Sequence, residues 1–165
     1  MNILFVIFNF TVLIAAISVY WIRGEKKMSC IFCDIINKKT DTKILFENDD
    51  FVAFNDIKPA SSFHFLIIPK THIMNTSSLT IDDKPMLMNM KRYMLDLMEK
   101  NDQTDLADIS LGFHIAPFNS VRHLHLHGIS KKSEMRFLTR MIFKENSFWY
   151  KTFDDVFNSL PASRS

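Results

Sequence analysis

Residues 123–127 read His-Leu-His-Leu-His. Side chains along a β-strand alternate between faces with a period of two. His123, His125 and His127 are therefore predicted on one face, with Leu124 and Leu126 in the core behind them. A helix turns about 100° per residue and would scatter the three imidazoles around its axis. Half of the chain's six histidines lie in this stretch. Three readings fit it. The first is an exposed strand without chemistry, against which the alternating leucines count. The second is a metal site, since His-x-His is a familiar zinc-binding pair. The third is a nucleophilic imidazole, flanked by two rings that set its tautomer and handle protons.

Composition narrows the surroundings. The chain has 165 residues, enough for one domain with extensions, and is 47% apolar and 13% aromatic, too apolar for a disordered chain. A net charge of +2 points to neither a nucleic-acid nor an acidic partner. The three glycines, Gly24, Gly112 and Gly128, are too few and too scattered for a Gly-rich phosphate loop. Cys30 and Cys33 form a single C-x-x-C, the spacing of a metal or redox pair rather than of a disulfide framework.

Residues 3–22 carry no charge. A helix of about 20 residues spans a ~30 Å hydrocarbon layer. Tyr20 and Trp21 suit an interfacial belt, and Arg23, Lys26 and Lys27 follow. The expectation is a membrane anchor with the following domain in the cytosol. A cleaved signal peptide fits less well, because no basic leader precedes the apolar run and no small-x-small site follows it. A start at Met28 would give a soluble cytoplasmic or nuclear form instead. The predicted division is residues 1–27 as hydrophobic segment with basic flank, 28–155 as the domain, and 156–165 as a tail.

In the domain, residues 30–39 read as a short helix or turn carrying the C-x-x-C. Residues 44–47 and 51–55 around Asn48-Asp49-Asp50 predict a β-hairpin. A strand over 63–68 ends at Pro69, with His64 near its start and His72 just past its end. Residues 82–100 predict the one long helix, with Leu87, Met90, Met94 and Leu97 as its apolar stripe. A strand over 109–116 carries Gly112 and His114. Residues 133–147 are basic and amphipathic, and Thr152 with Asp155 forms a capping-box pattern for a last short helix. Antiparallel strands with one long helix make the class α+β.

These segments together resemble the histidine-triad (HIT) superfamily, Hint branch. The resemblance rests on His123–His127, on Ala53-Phe54-Asn55-Asp56-Ile57-Lys58-Pro59 and on His64-Phe65-Leu66-Ile67-Ile68-Pro69-Lys70-Thr71-His72. Cys30-Ile31-Phe32-Cys33 and the stretch from Gly112-Phe113-His114 to Ser120 are most similar to the third Hint subgroup. The likeness covers about residues 30–155. It implies a HIT-like fold: an antiparallel sheet of about five strands, one long helix and short terminal helices, here preceded by the N-terminal hydrophobic helix.

The resemblance also implies an activity. His125 would attack the α-phosphorus of an adenosine 5'-phosphoramidate, form a covalent nucleotidyl-histidine, and release AMP on hydrolysis. His123, His127, His64 and Ser120 would complete the catalytic set. Asp56, Ile57, His114, Phe118, Asn119 and Ser120, together with His125 and His127, would contact a purine nucleotide. No catalytic cofactor is implied, but Cys30, Cys33, His72 and His123 would hold a structural zinc. A homodimer joined sheet edge to sheet edge is the implied assembly. Two departures stand out: His114 replaces an asparagine common among Hint proteins, and the loop Ala116-Pro117-Phe118-Asn119 is shorter than the family's glycine-bearing one. The shortened loop keeps open an alternative, a nucleotide-binding adaptor with vestigial catalysis. A zinc hydrolase using the triad as ligands is a third reading, which lacks a carboxylate base beside the triad.

Overall fold

The computed structural model describes residues 30–163. Within them an antiparallel sheet is built from β1 (Ile44–Glu47), β2 (Phe51–Asn55), β3 (Phe63–Pro69), β4 (Ser110–His114), β5 (Leu126–Ser130) and β6 (Tyr150–Thr152). The spatial order is β1-β2-β3-β5-β4-β6. Helix α1 (Ile31–Ile36) precedes the sheet, α2 (Lys84–Glu99) links β3 to β4, and α3 (Phe137–Ile142) and α4 (Phe153–Asn158) lie toward the C-terminus.

Period-two alternation divides the core between the two faces of the sheet. One face, with Phe51, Ala53, Phe65, Ile67 and Leu126, packs on Leu87, Met90, Met94, Leu97 and Met98 of α2. The other, with Val52, Phe54, Leu66 and Ile68, packs on Phe32 and Ile35 of α1. Both faces are covered, which is why β2 and β3 are near-continuous apolar runs. The long helix starts two residues later than its pattern suggests. Residues Ile81–Asp83 form a 3₁₀ turn closed by a reciprocal Thr80–Asp83 capping box, and Pro85 then opens the α-helix.

Three expectations need correction. The sheet has six strands rather than about five, because Tyr150–Thr152 adds β6 to the edge of β4, pairing Gly112 with Thr152 and His114 with Tyr150. The triad is not wholly within a strand: β5 begins at Leu126, and its ladder with β3 ends at Ile67–Leu126. Further on, β3 closes with Pro69, which has no N–H to give, and the Leu124 amide bonds the Ile73 carbonyl instead. The alternation nonetheless persists, with Leu124 in the α2-side core. Third, the expectation of a membrane-anchored protein is overturned: among the described residues, no helix is long and apolar enough to cross a membrane. The apolar stretch 3–22 and the helix expected there lie outside the described residues.

Candidate active site

The α1 side of the sheet carries a cavity of about 580 Å³ whose wall includes Phe32, Asp56, Ile57, Ser120, His125 and His127. That volume is within the range of ordinary small-ligand pockets. α1 supplies the apolar wall, the β2–β3 turn supplies Asp56 and Ile57, and the segment before β5 supplies Ser120 and His125.

His125 sits at the buried end, 7% exposed. Its Nδ1 lies 2.6 Å from the His123 carbonyl, which can only accept, so Nδ1 carries the proton and Nε2 keeps its lone pair. Burial holds its pKa down to about 4, so the ring is neutral near pH 7. Phe32 packs edge-on against it at 5.2 Å and His127 at 4.9 Å. This is a tautomer-fixed, uncharged imidazole with a bare nitrogen, as a nucleophile at phosphorus requires.

His127 faces two other rings: His64 Nε2 is 2.9 Å from its Nδ1, and His114 Nδ1 is 3.1 Å from its Nε2. Burial depresses the pKa of His64 to about 3 and lowers those of His127 and His114. Asp56 uses Oδ1 to accept the Lys58 amide at 2.7 Å, the turn expected before Pro59, and its burial raises its pKa. Its Oδ2 is 3.5 Å from His64 Nε2. Ile57 forms an open rim, 93% exposed.

Two clusters of donor atoms could be taken for metal sites. The first joins Cys30, Cys33, His72 and His123, with Cys30 Sγ to His123 Nδ1 at 3.5 Å, Cys33 Sγ to His123 Nδ1 at 3.6 Å and Cys33 Sγ to His72 Nδ1 at 3.2 Å. The sulfur–nitrogen edge of a tetrahedral zinc site, from its ordinary bond lengths, is ~3.5 Å. His123 Nε2–H donates to the Pro69 carbonyl at 2.8 Å, which leaves Nδ1 bare toward the sulfurs. These residues fit zinc. The second cluster, Asp56, His64 and His127, does not fit. The Ala60 amide donates to His64 Nδ1 at 3.0 Å, so in the neutral ring Nε2 holds the proton and is no ligand.

Of the other expected nucleotide contacts, Ser120 lines the cavity, while His114, Phe118 and Asn119 lie outside its wall. Phe118 is half exposed and packs on Phe148, and the Asn119 amide donates to the Val121 carbonyl. Of the expected catalytic set, His64 and His123 lie outside the cavity wall, against His127 and His125 respectively. Phe32 was not among the expected site residues; its place between the two cysteines is the available signal. Phe143 and Tyr150, which pack on His114 and His127, carried no such signal.

Residues 29–142 match the family described as scavenger mRNA decapping enzyme C-term binding. The chain is 44% identical over 137 residues, 82% of its length, to an adenosine 5'-monophosphoramidase HINT3 of Xenopus tropicalis, covering 90% of that protein. It is 37% identical to the protein of that name from Mus musculus, over 80% of this chain and 81% of that one. Among solved structures, a HIT family hydrolase from Legionella pneumophila superposes with a TM-score of 0.59 at 30% identity, over 62% of this chain and 93% of that one. With this fold, this triad geometry and these matches, the chain belongs to the histidine-triad family.

Proposed function

We propose that this chain is a hydrolase that cleaves the P–N bond of an adenosine 5'-phosphoramidate and releases AMP. The observation that supports it most is His125, neutral and with Nε2 bare, at the end of a cavity large enough for a nucleotide. The relatives named adenosine 5'-monophosphoramidase support the substrate class. In the reaction, His125 Nε2 bonds to the α-phosphorus as the P–N bond breaks, and the amine leaves with that electron pair and takes up a proton. The Nδ1–H bond to the His123 carbonyl steadies the positive ring so formed. Water then bonds to phosphorus, the P–Nε2 bond breaks, and the proton lost by water restores the balance. The Ser120 hydroxyl at the cavity wall serves the phosphate or the leaving amine, Asp56 accepts from the ribose hydroxyls, and Ile57 closes on the nucleoside. Phosphoryl transfer asks mainly for such positioning.

The test is to supply adenosine 5'-phosphoramidate and measure AMP and ammonia. No release from intact protein that binds AMP tightly would replace the hydrolase with a nucleotide-binding adaptor. In the same assay, Asp56→Asn should raise KM by roughly tenfold with kcat little changed, as loss of uniform binding does. An unchanged KM would remove Asp56 from the ribose contact.

Zinc held by Cys30, Cys33, His72 and His123 is a structural component of this reading. When bound it supplies a closed four-ligand crosslink, tying α1 to the segment before β5 and leaving no open position for substrate. Elemental analysis of purified protein should find about one zinc per chain, lost in Cys33→Ser together with some thermal stability. Metal-free wild-type protein with an unchanged melting curve would end this assignment. The paired assembly implied by the resemblance remains part of the proposal, and the solution mass decides it.

A further inference from the structure

The three rings His64, His127 and His114 make a chain of hydrogen bonds whose direction is fixed at the His64 end. The Ala60 amide can only donate, and it donates to His64 Nδ1. The His64 proton is therefore on Nε2, which donates to His127 Nδ1 at 2.9 Å. The His127 proton is then on Nε2, which donates to His114 Nδ1 at 3.1 Å. The His114 proton is left on its Nε2. Reversing the first link would set two donors against each other at the Ala60 amide, and reversing the second alone would set two donors against each other between His64 and His127. Asp56 Oδ2 lies 3.5 Å from His64 Nε2 and 3.9 Å from His127 Nδ1; a carboxylate oxygen there can only accept and leaves the direction unchanged. Phe143 roofs the chain, edge-on to His64, His114 and His127 at 5.2, 5.0 and 5.3 Å.

We propose that His114 is a positioning residue that acts through His127. This deepens the phosphoramidase reading and rests on it. Between them His64 and His114 occupy both nitrogens of His127. His127 then has no free lone pair for attacking water and no uncommitted proton for the leaving amine. Its task is to stand as a neutral, immobile ring against His125 at 4.9 Å. Proton exchange with substrate runs through other groups on the cavity wall. His114 lies outside that wall, so its loss changes the chemical step and not nucleotide affinity.

The first test reads the resting protein. With histidine ¹⁵N labelling, the imidazole shifts of His64, His127 and His114 should each report the Nε2–H tautomer, and His125 the Nδ1–H tautomer. An Nδ1–H or doubly protonated His127 at neutral pH overturns the proposal. This measurement needs no turnover, so it stands even if the chain releases no AMP, a result that would sink the phosphoramidase reading alone. The second test reads kinetics. His114→Asn, whose Oδ1 can accept from His127, should keep kcat within about threefold, whereas His114→Leu should lower kcat by roughly tenfold to a hundredfold. KM and AMP affinity should move less than about twofold in both, and His127 should become a mixture of tautomers in the leucine variant. An unchanged kcat in His114→Leu, or a rise in KM alone, overturns the proposal. If the leucine variant does not fold, His114→Gln replaces it in a graded comparison with asparagine, read by the same His127 shifts.

Discussion

His125→Asn should lower AMP release from adenosine 5'-phosphoramidate by on the order of 10³-fold or more while leaving AMP bound in the cavity. Asparagine keeps an N–H that can reach the His123 carbonyl, so the local fold survives. What disappears is Nε2, the bare nitrogen facing the cavity, and an amide nitrogen has no lone pair to offer phosphorus. The effect is large because no neighbour can substitute. His123 points its ring at Cys30, Cys33 and Pro69, and His127 has both nitrogens engaged. Intact-mass measurement during turnover separates the covalent route from direct attack by water. Wild-type protein should carry an added nucleotidyl group that maps to His125, and the asparagine variant should carry none. Turnover that survives the substitution would remove His125 from the reaction.

Gly112→Val should cost about 3 kcal/mol or more of stability and lower the melting temperature by roughly 10 °C. A Cβ at this position would meet the Lys151 carbonyl oxygen at 2.5 Å and the Tyr150 ring at 2.6 Å. Neither can step aside cheaply. The carbonyl belongs to β6, which pairs with β4 here, and Tyr150 is fully buried against His114 and Phe143. Gly128→Ala is the control. The three atoms nearest to its Cβ all belong to the side chain of Met94, unbranched and with three rotatable bonds, so the cost should be about 1–2 kcal/mol. Equal melting temperatures for the two variants would contradict this account.

Much of the site could be read from residue order because its geometry is periodic. The alternation at 123–127 required one face for three rings. The stripe of Leu87, Met90, Met94 and Leu97 required one face of a helix, and all four are buried there. The hairpin strands fall on 44–47 and 51–55, and Thr152 and Asp155 do close a capping box. What could not be read depends on contacts without a period. β6 is only three residues long and pairs with a strand far back in the chain. The late start of β5 follows from Pro69 on another strand. The resemblance implied a nucleotide contact at His114, but its partner is decided by how β4 and β5 pair, which sets Gly112 opposite His127. Phe143 reaches the site from the end of α3, in a basic amphipathic segment whose sequence does not say which ring turns inward.

The borders of the sheet carry a further consequence. One is the four-residue β1, whose pairing with β2 is irregular between Ile44 and Phe46, and the other is the three-residue β6. The long, regular strands lie inside. Wherever the proposed pairing of two copies leaves a border open, a foreign extended chain finds, among the described residues, a short or broken template, a safeguard against fibril growth by strand addition. β6, which looks like a minor ornament on the fold, is half of that protection.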